Sequence, residues 1–250
     1  MQILLLLLLI LPFSSLGEVP DCPADKQLHQ LLVFDDLFIG GIHGTREIPL
    51  LVQCLVDKAL KESNENLIVS LELDESASDL HSPLWQDDTA LMTEDGRSSR
   101  AMYALMQYLI TREATGQLGL HFQYGRKGSS RPNSARATGR ELETLSGNAR
   151  VIVLAGNYQS MKTTPPGYFD YLETEGMYAG NRFTHINIRS LNPGTFWSCT
   201  GSCGISTYNP PGHSAPVGQL ADGADIGHDY VFYLESFTAS EPMSLHDTPR

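Results

Sequence analysis

Three apolar runs in this chain end on residues that can exchange protons or hold polar groups. "LFIGGIHGT" runs into Gly40, Gly41 and His43; "NLIVSLEL" carries Glu72 between Leu71 and Leu73; "ARVIVLAGNYQS" runs into Gly156, Asn157 and Gln159. An imidazole titrates near neutral pH. A carboxylate inside a buried strand is costly unless paired or hydrogen-bonded. His43 and Asn157 are natural partners for Glu72 if the three ends are adjacent. Together His43 and Glu72 would form a general acid–base pair, which contributes about 100- to 10,000-fold when well positioned. A structural reading stands beside this one. His43 can be hydrogen-bonded at a helix start, Glu72 can pair with Arg97 or another arginine, and Asn157 can satisfy backbone groups at a strand–helix corner. Asp95-Gly96-Arg97 reads either as a turn whose aspartate caps a helix or as part of the same site.

Other catalytic signatures are missing. In "TGSCG" the residue two before Ser202 is Thr200, so there is no G-x-S-x-G elbow, and no H-E-x-x-H or Walker sequence occurs. His213, Asp222, Asp225 and His228 decorate a late loop that could bind a cation, although loops rich in Asp and Gly are usually solvated turns.

Those residues need a scaffold, and the pattern supplies one. "LFIGGI" is a short strand, and Ile48, Leu51, Val52, Leu55 and Ala59 follow at helical spacing, with Pro49 acceptable in the first turn. "NLIVSLEL" is a buried strand, and a polar loop then runs to about residue 97. Met102, Leu105, Met106 and Leu109 mark a helix that Ser98 or Ser99 can cap. "LGLHFQY" is a strand, "NSARATGRELETL" a helix and "ARVIVLAGN" the clearest strand. A helical piece near 168–177, the strand "RFTHINI", a Gly/Pro-rich loop over 208–228 and the strand "DYVFYLESF" complete the order. Strands alternating with helices imply one α/β domain, with a mostly parallel sheet flanked by helices on both faces. In such sheets ligands bind beyond the carboxyl ends of the strands. The 208–228 loop is long for a compact domain, so it is expected to act as a lid or a rim.

Residues 1–17, "MQILLLLLLILPFSSLG", fit a signal peptide, with Ser15 and Gly17 at the small-residue positions before cleavage. The apolar run is short of the ~20 residues that span a bilayer. The expected product is residues 18–250, a single soluble domain, secreted or periplasmic, with no membrane span after cleavage. All the charges lie in that part, and the net charge of -12 with no Lys/Arg cluster argues against nucleic acid as a partner. In an oxidising compartment the four cysteines read as disulfides, Cys22–Cys54 and Cys199–Cys203. A half zinc site at 199 and 203 is the alternative, but no second pair follows at ligand spacing.

In order along the chain, "GGIHGTREIP", "VSLEL", "EDGRSS", "VLAGNYQS", "GTFWSCTGSCG" and "DYVFYLESFTAS" resemble the successive motifs of the erythromycin esterase/ChaN-like superfamily, also called the Tiki superfamily. The resemblance covers about residues 35 to 240. It implies an α/β domain with a pocket at the strand ends, where a Glu and two His activate water in hydrolytic relatives, sometimes with a metal. Carried over, His43 and Glu72 are the catalytic pair, with Glu72 as general base. Gly41, Asp95, Arg97, Asn157 and Gln159 are the surrounding substrate-binding positions. Two of these depart: Gly41 stands where the superfamily has Glu, and Gln159 where it has His. Glycine and glutamine neither relay protons near neutral pH nor bind metal strongly, so the remaining set is a poor metal site and no cofactor is assigned. The implied function is a hydrolase with a reduced Glu/His site acting on a small molecule. The alternative is a non-catalytic binder of a small molecule or haem, with Tyr158, Tyr178 and Tyr208 as candidates to face a flat ligand.

Overall fold

The computed structural model describes residues 21–85, 96–124, 131–165, 182–199, 202–212 and 215–243. Residues 1–17, expected to be a signal peptide, Asp95, Tyr178, His213 and the helix expected near 168–177 lie outside them.

The elements, in chain order, are α1 (Asp25–Leu32), β1 (Asp36–Gly41), α2 (Glu47–Glu62), β2 (Leu67–Asp74), α3 (Arg100–Ala114), β3 (Gly119–Tyr124), α4 (Arg131–Ser146), β4 (Arg150–Gly156), β5 (Phe183–Ser190), β6 (Gly194–Cys199), β7 (Cys203–Tyr208), β8 (Leu220–Asp222) and β9 (Tyr230–Leu234). Seven strands form one sheet in the order β3-β2-β4-β1-β5-β9-β8. All neighbours are parallel except β8 and β9. β1 and β4 are central, and their continuous apolar character follows from burial on both faces.

Side-chain alternation splits the core in two. Leu37 and Ile39 of β1 join a large cluster with residues of α1, α2 and α3. Phe38 points the other way, into a smaller cluster with Val151, Val153, Phe183 and Leu142 of α4. Helices therefore cover both faces, as the alternation predicts. α2 buries Ile48, Leu51, Val52, Leu55 and Ala59, and Pro49 sits in its first turn, where no helical N–H is needed. Ser99 caps α3, its Oγ accepting from the Met102 N–H at 3.5 Å.

The sequence reading missed three features. α1 was not expected; it buries only Leu28, Leu31 and Leu32, and the Cys22–Cys54 disulfide ties the segment before it to α2. "GTFWSC" and "CGISTY" form a two-stranded antiparallel hairpin, with the Cys199–Cys203 disulfide joining its last cross-strand pair. Within the 208–228 loop, Leu220–Asp222 pairs with β9 and becomes the sheet edge, so that part is a rim rather than a lid. Three residues among Gly, Pro and Asp carry too little pattern to reveal a strand.

Candidate functional site

Register brings the three polar strand ends together. Gly41 of β1 pairs with Gly156 of β4, and Leu71 of β2 pairs with Leu154 of β4. The ladder between β2 and β3 is irregular from Leu71 to Asp74, so Glu72 lies in a bulge. Bulges commonly re-aim side chains beside sites.

Glu72 is 3% exposed and its acceptor capacity is taken up. Oε1 accepts from Arg97 Nη1 at 2.8 Å and from the Tyr124 hydroxyl at 2.7 Å. Oε2 accepts from the Gly156 N–H at 2.6 Å and lies 3.4 Å from His43 Nε2. Tyr124 in turn accepts from Arg97 Nη1 at 2.9 Å, closing a triangle, and its ring lies 5.3 Å from the guanidinium carbon. Burial alone would raise the Glu72 carboxyl. The hydrogen bond and charge of His43, the charge of Arg97 and the Gly156 N–H outweigh it and hold the carboxyl down to about 2. Burial and the neighbouring Glu72 charge raise the Tyr124 phenol, which stays a donor. The ion pair expected on the structural reading and the His43 contact expected on the catalytic one are both present.

His43 is the accessible member of the group, its side chain 25% exposed. The point where a Cβ would stand on Gly156 is 2.6 Å from Gln159 Oε1, 2.8 Å from His43 Nε2 and 3.4 Å from Glu72 Oε2. His43, Glu72 and Gln159 thus converge on one spot that only glycine leaves open. A hollow of about 20 Å³ beside it is bounded by Gly41, His43, Thr45, Glu72, Arg97 and Met102 among others. That is room for about one water.

The glycines at the first corner serve different neighbours. A Cβ on Gly41 would strike Ile48 of α2 at 2.6 Å, so the space a side chain would need at this position is filled by an apolar group. A Cβ on Gly40 would strike Ser160 Oγ, whose buried hydroxyl lies 2.9 Å from His228 Nε2. Gly44 (φ +70°) and Gly96 (φ +82°) form a backbone junction, where a Cβ on Gly96 would lie 2.6 Å from Gly44 Cα and one on Gly44 2.3 Å from the Trp197 carbonyl. Trp197 N–H and Ser240 N–H both donate to the Gly44 carbonyl, at 2.9 and 2.7 Å. This junction sets Arg97 beside His43 from 54 residues away in sequence.

Asn157 faces a neighbouring network instead of the hollow. Its Oδ1 accepts from Asn187 Nδ2 at 3.0 Å, and Asn187 Oδ1 accepts from Arg189 Nε at 3.1 Å. Of the late-loop cation candidates, Asp222 and Asp225 are exposed and His228 is buried against Ser160, its Nδ1 donating to the Ile226 carbonyl at 2.9 Å. They do not converge. Among the described residues no group of three or more His, Cys, Asp or Glu is placed to hold a metal ion. Tyr208 packs on Phe237 with ring centroids 5.1 Å apart and Tyr158 is exposed, and neither lines the hollow. No helix of the described residues is long and apolar enough to cross a membrane. Tyr124 is the site residue that sequence reasoning missed. Its signal was positional, as the last residue of a strand hydrogen-bonded to the one carrying Glu72.

The sequence matches no family model and no curated protein. Solved structures similar to it include a succinoglycan biosynthesis protein at 11% identity and TM-score 0.49, covering 86% of this chain and 90% of that one. A protein from Bacillus cereus aligns at 9% identity and TM-score 0.50, covering 86% and 92%. An erythromycin esterase variant in its open conformation aligns at 12% identity and TM-score 0.43, covering 83% and 92%. At TM-score 0.50 the likeness to the Bacillus cereus protein is one of fold.

Proposed function

We propose that this chain is an exported hydrolase-like protein that cleaves a small ester by water attack, with His43 as the proton acceptor and Glu72 as its fixed counter-charge. The observation that carries this reading is the contrast between the two groups at their 3.4 Å contact: Glu72 is buried and saturated, His43 is partly exposed. A carboxylate held near 2 is a weak base at neutral pH. It is well suited to orient an imidazole and stabilise the imidazolium, the part an aspartate plays in a Ser-His-Asp triad. With Nε2–H directed at Glu72, His43 Nδ1 takes a proton from water, the resulting hydroxide attacks the ester carbonyl, and the imidazolium returns the proton to the leaving alkoxide. Arg97 and Tyr124 act through Glu72 as positioning residues, and Gln159 meets the substrate as a hydrogen-bonding group. The two disulfides fit an oxidising compartment and hence the exported location, with residues 1–17 as the segment removed.

The motifs shared with erythromycin esterase-like proteins support the same reaction class. The test is hydrolysis of short p-nitrophenyl esters by the wild type and His43→Gln. Loss of about 100-fold or more in kcat with the variant folded is the expected result. An unchanged rate would remove His43 from the chemistry.

A second reading, binding without turnover, is favoured by the saturation of Glu72 by Arg97, Tyr124 and Gly156. A hollow with room for about one water favours a small polar ligand over haem. A Soret titration that shows a stoichiometric, red-shifted band would reverse that preference.

A further inference from the structure

The hollow beside His43 has the size of a water and the chemistry of something else. Its volume of about 20 Å³ takes one group as large as a water or a methyl. A buried water needs about two to four hydrogen-bond partners. The polar groups that bound this hollow are already turned to protein. Thr45 donates from Oγ1 to the Ile42 carbonyl at 3.1 Å. Glu72 accepts from Arg97, Tyr124 and Gly156, and Arg97 Nη1 is shared between Glu72 and the Tyr124 hydroxyl. The Gly41 carbonyl accepts from the Asn157 N–H, and the Gly44 carbonyl from those of Trp197 and Ser240. Among the described residues, the His43 ring is the polar side chain left to meet a guest.

The rest of the wall is apolar. Ile48, Leu73, Met102, Leu154 and Ala155 bound it, all of them buried. Water in this space would give up most of its hydrogen bonds, whereas a methyl group has none to lose. Packing limits the depth. Ile48 enters from α2, its Cδ1 only 2.6 Å from the point where a Gly41 Cβ would stand, and Met102 enters from α3. A second carbon would have to displace one of these side chains from a close-packed core.

We propose that the hollow is the acyl pocket of the site, that it accepts a methyl group and no longer chain, and that the substrate is an acetyl ester. The inference rests on the hydrolysis proposed at His43 and names its substrate class. A methyl in the hollow sets the acetyl carbonyl carbon beside the His43 ring. Water adds to that carbon, the bond to the alkoxy oxygen breaks, and the proton held by His43 passes to the leaving alkoxide, giving acetic acid and an alcohol. Ile48 and Met102 are then the residues that determine specificity. One methylene too many in a pocket of fixed size costs about 10- to 200-fold.

Two measurements test it. In the first, kcat/KM for p-nitrophenyl acetate should exceed that for the butyrate by about tenfold or more. Ile48→Val, which removes only Cδ1, should raise propionate relative to acetate by about tenfold, and Met102→Ala should do the same for butyrate. The second needs no turnover: acetamide and butyramide are titrated against the His43 ring resonance, assigned by its loss in His43→Gln. Acetamide should shift that resonance saturably and bind about tenfold or more tighter than butyramide, with the gap closing in Met102→Ala. No ester hydrolysis with the acetamide preference intact would overturn the chemistry at His43 and leave the methyl pocket standing. Equal binding of the two amides, no shift with either, a butyrate preference, or an order of substrates unchanged in both variants overturns the pocket itself.

Discussion

Replacing Glu72 by Gln keeps the shape of the side chain and removes its charge, and with it the buried ion pair to Arg97. Two lines give the size of the effect. Removing one partner of a buried ion pair costs about 3–5 kcal/mol. Holding the carboxyl at about 2 rather than 4.5 corresponds to about 3 kcal/mol of native-state preference for the ionised form. Against a typical total stability of about 5–15 kcal/mol, the variant should still fold. The sign sets the pH window. The unfolded chain takes up this proton near 4.5 and the folded chain only near 2, so stability falls as pH drops between them. Wild type holds the full contribution above pH 4.5 and loses it towards pH 2; the variant has none to lose. Urea unfolding followed by tryptophan fluorescence should therefore show the variant about 3 kcal/mol less stable at pH 7, with that gap cut to about half or less by pH 3. A gap below about 0.5 kcal/mol at pH 7, or one that does not shrink with acid, would refute the placement of Glu72 as a locked anion.

Gly156→Ala should cost about 1–3 kcal/mol and suppress any esterase activity, because its methyl would press on Gln159, His43 and Glu72 together; thermal melts and ester assays check both. Burial, helped by the nearby His185 and Arg189 charges, lowers His228 to about 4, so the unfolded chain binds its proton near 6.5 and the folded chain does not. Stability should drop by about 3 kcal/mol as pH falls from 6.5 to 4, a component that His228→Asn should abolish in urea titrations at the two pH values. On the loop-entropy relation, Cys22→Ser/Cys54→Ser should cost about 4 kcal/mol and Cys199→Ser/Cys203→Ser about 2, following the logarithm of the 32- and 4-residue separations, as read by denaturant midpoints.

The frame was legible because burial on two faces writes continuous apolar runs. "VIVLA" and "LIVSLEL" could hardly be anything but interior strands, and an acid in the second had to have a partner. His43, Glu72 and Gln159 were legible as a group for the same reason, since parallel strands bring their ends level. Orientation was not legible. Nothing in "GNYQS" says that Asn157 turns towards Asn187 while Gln159 turns towards His43, because neighbouring residues past a strand end lose the strict alternation that fixes facing inside it. The role of Glu72 was equally hidden, since base or counter-ion depends on how many donors meet it, and one of them, Tyr124, lies 52 residues away. The hairpin escaped because its two strands are half-exposed and bear no alternating apolar face.

The position of β1 at the centre of the sheet has a consequence for biogenesis. Its two neighbours, β4 and β5, follow it by more than 100 residues, so a ribosome releases the middle of the sheet long before either flank exists. Until then "DLFIGG" is an unpaired ribbon with a single charge at its start, Asp36, open to association with other nascent chains. Slow, long-range closure of this kind favours a polypeptide kept extended by a holdase and allowed to collapse only once it is complete.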